Sequence, residues 1–364
     1  MNRTAALLSG ASVLIGAIAA SAGTPAARFN PLRVSMVASS SASSFLGAVD
    51  VQITNTGNRI VRVPAWELPS EFLQSNLFEI TRDGRPVQYE GPMIKRGLPQ
   101  SPDFVVLQPG QSVRKSIDLS AFYDLSKTGE YIVTFQSPLQ HASLSSGEML
   151  KTASGLPMMA QSVPLRMWVD GTDQLGAVRL QAQRKPSAGT TTVNGISYKG
   201  CSTTQTSAAG SAVTSARGYS ENAKGYLAGA TVGSRYTTWF GAYTSTRYST
   251  ARQHFVNIDA AIDQSGGQVT INCGCNQSYY AYVYPTRPYE IFVCRAFWSA
   301  PLTGTDSKAG TLIHEMSHFN VVAATDDHVY GQSGAKSLAV SNPTQALDNA
   351  DNHEYFAENT PALK

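Results

Sequence analysis

The stretch Thr311-Leu312-Ile313-His314-Glu315-Met316-Ser317-His318-Phe319 places two histidines four residues apart, with a glutamate directly after the first. Four residues is just over one helical turn. On a helix both imidazoles therefore lie on one face and present a nitrogen each to a single Zn²⁺, with Glu315 beside the water to be activated. The apolar neighbours Leu312, Ile313, Met316 and Phe319 suit a buried helix. Five letters with three fixed arise by chance in roughly one chain of this length in a hundred. On an apolar, helical stretch they are rarer. A structural zinc site needs no base, so Glu315 points to hydrolysis by activated water.

A catalytic zinc takes a third protein ligand and keeps a fourth position open. The extended metzincin pattern requires glycine at 321 and histidine at 324, where this chain has Val321 and Ala324. A glutamate ligand roughly 20 residues past the second histidine, as in thermolysin-like sites, is also missing. Ser337 and Leu338 stand there, and no Glu lies between Glu315 and Glu354. The chain instead continues Ala324-Thr325-Asp326-Asp327-His328-Val329-Tyr330-Gly331-Gln332, in which Asp327 comes nine residues after His318. Such an aspartate returns to the metal if the helix ends and the chain turns back.

H-E-x-x-H followed by T-D-D-x-x-Y-G resembles the aspzincins, the deuterolysin and peptidyl-Lys metalloendopeptidase family. The resemblance runs over about 170 residues, from Tyr198-Lys199-Gly200-Cys201 to Asn349-Ala350-Asp351-Asn352-His353-Glu354-Tyr355-Phe356-Ala357-Glu358-Asn359. It implies His314, His318 and Asp327 as ligands of one Zn²⁺ per chain, Glu315 as general base, and Tyr330 as donor to the transition-state oxyanion. Without it, Tyr330 reads equally well as a core tyrosine near a turn. Asp326 is expected to cap the turn, and His328 either orients a ligand or faces solvent. The family usually has Gly where Ala324 stands, a local backbone adjustment that leaves the ligands in place.

Asp351 and Glu354 are three apart on a helix-compatible segment, so both carboxylates can point the same way. They fit a lysine ammonium, or else form a solvated acidic face with Asp348 and Glu358. In the peptidyl-Lys branch of the family the matching pair holds the residue after the scissile bond, which implies cleavage on the amino side of Lys. The cysteines Cys201, Cys273, Cys275 and Cys294 all lie in the second half. Cys273 and Cys275 are too close for an easy mutual bridge, so each is expected to pair elsewhere; a Cys₄ zinc site is the rival. The resemblance implies the pairs Cys201–Cys273 and Cys275–Cys294. Aromatic-rich stretches at 236–248 and 279–289 suit a packed core, or in part a peptide cleft.

The elements that position these groups sort into two halves. Residues 28–169 read as short alternating runs with turn punctuation, including an Asp83-Gly84 hairpin signal between Leu77–Ile80 and Pro86–Tyr89. This predicts an all-β, sandwich-like N-terminal domain, with His141 a surface residue. The second half predicts an α+β, mainly helical zincin domain. Its helices are expected over 205–227, 248–263, 308–322, 335–341 and 344–358, its strands over 268–272, 279–284 and 291–293.

Met1–Ala22 has the pattern of a cleaved signal peptide, which predicts a secreted protein, free of the membrane after cleavage and in an oxidising compartment. The expected organisation is signal 1–22, β-rich pro-domain 23–180, exposed linker with the maturation cleavage region 181–191 and peptidase 192–364. Of 364 residues 42 % are hydrophobic and 15 % charged, and the net charge is +3. That is too weak a basic excess for a nucleic-acid partner. Residues 1–191 carry +4 and 192–364 carry −1, which suits a basic pro-domain seated over an acidic pocket. The whole is similar to bacterial secreted toxic aspzincins. It implies a monomeric zymogen acting on proteins or peptides as an exotoxin or nutrient-degrading protease, with its pro-domain as intramolecular inhibitor. A β-sandwich adhesin with a structural or vestigial metal site is the alternative.

Overall fold

A computed structural model describes residues 29–39, 47–153, 155–171, 189–229 and 232–364. The expected signal peptide lies outside the described residues, as does most of the expected linker. The first half is strand-rich and the second mainly helical, in a two-domain layout.

The N-terminal strands form three small sheets. The first is Leu32–Ala38, Ala48–Asn55 and Ser112–Asp118, all antiparallel. The second joins Ser143–Leu144, Val61–Pro64 and Phe104–Leu107. The third is built on Gly129–Pro138, flanked by Phe78–Arg82, Met159–Gln161 and Leu165–Val169. Phe78–Arg82 turns through Asp83 and Gly84, both at positive φ, into Arg85–Pro86. That is the hairpin the dipeptide predicts. Alternate residues of these strands, such as Val49, Val51 and Ile53, face inward and are buried. His141 is half-buried rather than on the surface, and its backbone N–H donates to the buried Glu67 carboxyl at 3.1 Å.

The second half opens on a sheet with helices α1 (Thr203–Ala228), α2 (Ser234–Phe240), α3 (Ser245–Ile262), α4 (Arg295–Ser299), α5 (Lys308–His318), α6 (Gly331–Ser341), α7 (Pro343–Ala346) and α8 (Ala350–Glu358). In α1 the residues Ala209, Ala212, Ala216, Ser220 and Ala223 are all buried. Small side chains at helical spacing let α1 lie close against α3 and α5. Ala251, Phe255, Ile258 and Ile262 of α3 form its predicted buried face.

The sheet itself crosses the boundary between the halves. Its order is Thr190–Val193, Ile196–Lys199, Thr270–Asn272, Glu290–Val293, Ala281–Val283 and, at the edge, Met93–Lys95 from the N-terminal region. The last pairing is antiparallel, with Lys95 opposite Ala281, Ile94 opposite Tyr282 and Met93 opposite Val283. Separate folding of the halves would leave Ala281–Val283 with an unpaired edge; the N-terminal strand satisfies it.

Helices α2 and α4 stand where none is expected, and two expected helices are altered. The helix expected over 308–322 stops at His318, because the chain bends through Phe319 and Ala324, the latter at φ +51°. A glycine adopts that backbone without strain, which is the physical sense of the glycine expected there. The helix expected over 344–358 is broken into α7 and α8. At the break the Asp326 N–H donates to the Asp348 carbonyl at 2.7 Å, and the Ala350 N–H to the Asp326 carbonyl at 3.0 Å. The polypeptide between the halves of that helix is spent on anchoring the loop after α5.

Candidate active site

Helix α5 is buried from Ala309 to its end at His318. Ser307 caps it, accepting from the Gly310 N–H at 2.9 Å, and the Glu358 carboxylate accepts from Ser307 N–H and Oγ. A Cβ at Gly310 would lie 2.1 Å from Glu358 Oε1 and push that carboxylate off Ser307. So fastened, α5 presents His314 and His318 on one face, and the turn at Ala324 brings Asp327 back to them. Asp327 Oδ1 lies 3.3 Å from His314 Nε2 and 3.5 Å from His318 Nε2.

These atoms are buried and have no hydrogen-bond partner among the described residues. Orphaned buried nitrogens and carboxylate oxygens are costly unless a cation joins them. Two imidazoles and a carboxylate within 4.8 Å of one another are a donor set that Zn²⁺ accepts. The far nitrogens face acceptors: His318 Nδ1 is hydrogen-bonded to the Thr325 carbonyl at 2.8 Å, and His314 Nδ1 lies 2.9 Å from Asp351 Oδ1, a close contact outside hydrogen-bond geometry. Burial works against ionisation of Asp327, but the His318 and His314 rings hold its carboxyl below the usual range. Glu315 is fully buried with both oxygens unpartnered, and burial pushes its carboxyl up to about 8.

The loop that carries Asp327 is held from several sides. Asn349 Oδ1 accepts from the His328 and Val329 N–H groups at 2.8 and 3.0 Å. Asp326 accepts from the Asp327 N–H at 2.7 Å, capping its own turn, and from Asn76 Nδ2 at 2.7 Å. His328 neither faces a metal ligand nor stands free in solvent; its Nε2 is paired with Asp348 at 2.8 Å. Gln140 bonds both the His328 carbonyl and, at 3.2 Å, the Tyr330 N–H. Asn76 and Gln140 belong to the N-terminal region.

Asp351 and Glu354 lie on α8 and are 1 % and 0 % exposed, unlike a solvated acidic face. Between them sits the Lys95 ammonium, 2.6 Å from Glu354 Oε2, 3.4 Å from Asp351 Oδ1 and 3.5 Å from Asp306 Oδ1. Burial disfavours the Lys95 charge, but the three carboxylates outweigh it and hold the amine well above its ordinary value. The Tyr280 and Tyr355 rings flank the ammonium at 5.3 and 5.9 Å. The Tyr280 N–H donates to the Lys95 carbonyl at 3.0 Å, and the Tyr330 hydroxyl to the Ile94 carbonyl at 3.0 Å. Of the aromatic-rich stretches, Tyr236, Trp239 and Phe240 are core, whereas Tyr279 and Tyr280 stand beside this segment.

Cys201 is bonded to Cys273 and Cys275 to Cys294, which removes the Cys₄ zinc alternative. The residues that sequence reasoning missed are Lys95, Asn76, Gln140 and Asn349. Nothing in a lone lysine on a short strand announces its destination; Asn349 stood inside the family-like segment without an assigned role.

Residues 226–358 match the model of a family described as lysine-specific metallo-endopeptidase. An extracellular protease of Aeromonas hydrophila is 43 % identical over 316 residues, 86 % of this chain and 88 % of its own length. A peptidyl-Lys metalloendopeptidase of Grifola frondosa is 36 % identical, covering 85 % and 87 %. One from Pleurotus ostreatus is 51 % identical over 168 residues, 46 % of this chain and 98 % of its own. Among solved structures, a zinc peptidase from Grifola frondosa is 45 % identical over 45 % of this chain and all of that one, with a TM-score of 0.43.

Proposed function

Because this chain belongs to the aspzincin family of lysine-specific metallo-endopeptidases, we propose that it hydrolyses protein and peptide substrates on the amino side of lysine. It does so as a secreted monomer made as a zymogen, with one Zn²⁺ held by His314, His318 and Asp327. The observation that carries this reading is the seat of Ile94-Lys95. A lysine lies in the acidic pocket while the carbonyl just before it points to the Tyr330 hydroxyl.

A substrate strand adding to the Ala281–Val283 edge in the same antiparallel register receives main-chain hydrogen bonds regardless of sequence. Specificity then falls to Glu354 and Asp351, which reward one side chain, a buried ammonium. The metal, when bound, polarises the carbonyl and makes water acidic enough to attack at neutral pH. Glu315, a buried carboxylate in reach of the same face of α5, takes the proton from the attacking water and delivers it to the departing lysine nitrogen. Tyr330 donates to the carbonyl oxygen as negative charge grows there.

The same seat supports the zymogen reading. While Met93–Lys95 fills the edge and the pocket, no substrate can. We read the N-terminal region as a sandwich-like pro-domain over 23–180, followed by a linker over 181–191 and a peptidase over 192–364. Maturation is placed between Arg184 and Lys199, and the role is that of an exotoxin or nutrient-degrading protease.

The test is mass spectrometry of a denatured multi-lysine protein after incubation, with and without chelator. Chelator-sensitive fragments that begin with lysine are expected, and Glu315→Gln is expected to abolish them while retaining zinc. Fragments with other N-termini would discard the lysine pocket, and full turnover by the Gln variant would remove Glu315 from its role.

A further inference from the structure

Successive side chains on an extended strand point to opposite faces, so the residue after the lysine meets a different surface. In the docked segment that residue is Arg96. It is 8 % exposed, and its guanidinium carbon lies 5.0 Å from the centre of the Tyr279 ring and 4.7 Å from that of Trp66. Its Nη2 donates to Gln74 Oε1 at 2.9 Å and lies 3.4 Å from the Gln74 carbonyl. Trp66 and Gln74 belong to the N-terminal region and depart with Arg96. Tyr279 belongs to the peptidase region and stays.

The Tyr279 shelf is also rigid. It stands inside the loop closed by Cys275–Cys294. Its carbonyl accepts from the Ala296 N–H at 3.2 Å, and the neighbouring Tyr280 carbonyl accepts from the Cys294 N–H at 2.8 Å. Its ring packs edge-on against Tyr282, 6.2 Å away. A fixed π-face beside the lysine pocket needs no ordering when a cation arrives.

We infer that Tyr279 forms a second side-chain subsite, which takes the residue directly after the scissile-bond lysine and selects a guanidinium there. The inference rests on the reading that Met93–Arg96 lies where substrate lies. Once Trp66 and Gln74 have left, the arginine retains one aromatic face at a partly solvated site, so the preference is modest, about two- to fivefold.

The test uses enzyme matured from the full chain and peptides that differ only in the residue after a single lysine: Arg, Leu, Ala or Glu. Wild type is expected to cleave the Lys-Arg peptide with a kcat/KM about two- to fivefold above Lys-Leu and Lys-Ala, with Lys-Glu lowest. Tyr279→Leu, which keeps an apolar shelf without the π-face, is expected to bring Lys-Arg down to Lys-Leu. Equal rates for Arg and Leu in wild type would overturn the subsite without any variant having to fold. So would a preference for Arg that survives in Tyr279→Leu. Failure to cut before lysine in every peptide would overturn the lysine reading itself, and the subsite with it.

Discussion

Asp351 spends two oxygens on three neighbours. Oδ1 is 2.9 Å from His314 Nδ1 and 3.4 Å from the Lys95 ammonium, and Oδ2 accepts from the Gly331 N–H at 2.6 Å. One side chain thereby ties the seat of Lys95 to His314 and to the residue after Tyr330. In the proposed mechanism Tyr330 acts chiefly as charge develops. Tyr330→Phe is expected to lower kcat on a lysine peptide by about 100-fold with little change in KM; equal loss through KM alone would make it a binding residue. A buried carboxyl in the N-terminal region, beside the backbone of Gln140 and His141, gives a separate prediction. Burial pushes Glu67 up to about 8 from 4.5, so between these values the folded chain holds a proton that the unfolded chain has lost. Stability therefore falls as pH rises through that window, by at most about 1.4 kcal/mol per pH unit from this group. Glu67→Gln is expected to flatten the fall of Tm between pH 6.5 and 8; parallel curves for variant and wild type would contradict it.

At the scale of elements, the α5 histidines were legible because a helix converts a spacing of four into one face, and the buried Leu312, Ile313 and Met316 confirm the helix as core. The break between α7 and α8 was not legible, because its cause is Asp326, 22 residues before Asp348 in sequence, which needs backbone partners there. The strand Met93–Lys95 was hidden for the same reason: three residues bind through an edge supplied by the other half. Removing the lysine should loosen it. Lys95→Ala leaves two buried carboxylates without their cation, a loss of about 3–5 kcal/mol from the docked arrangement. The uncut chain carrying Lys95→Ala is expected to cleave a lysine peptide faster than the uncut wild type; a variant as silent as wild type would show that the strand is not what blocks the site.

Across the whole molecule, the two halves share a sheet, a buried cation among carboxylates, and the clamps of Asn76 and Gln140 on the loop carrying Asp327. Between residues 184 and 199 the described strands Thr190–Val193 and Ile196–Lys199 lie at the opposite end of that sheet, away from the Met93–Lys95 pairing that joins the halves. Cutting there is therefore expected to leave both pieces together. On size exclusion the nicked protein should co-elute as one species with little activity, and activity should appear as the N-terminal piece is separated or digested. Full activity at the moment of the nick, with the pieces still associated, would refute this.

Short stretches of sequence suffice for the local chemistry: which residue types stand at helical spacing, where turns and hairpins fall, and the β-rich and helical character of the two halves. Those properties arise from short-range periodicity and from the side chains' own chemistry. What lies across the site is set by the tertiary structure alone. It brings Lys95 to Asp351 over 256 positions, Asn76 to Asp326 over 250, and Arg96 to Tyr279 over 183. Such contacts depend on the closing of a sheet edge and the burial of a charge among its counter-charges, and no local pattern in the chain encodes either.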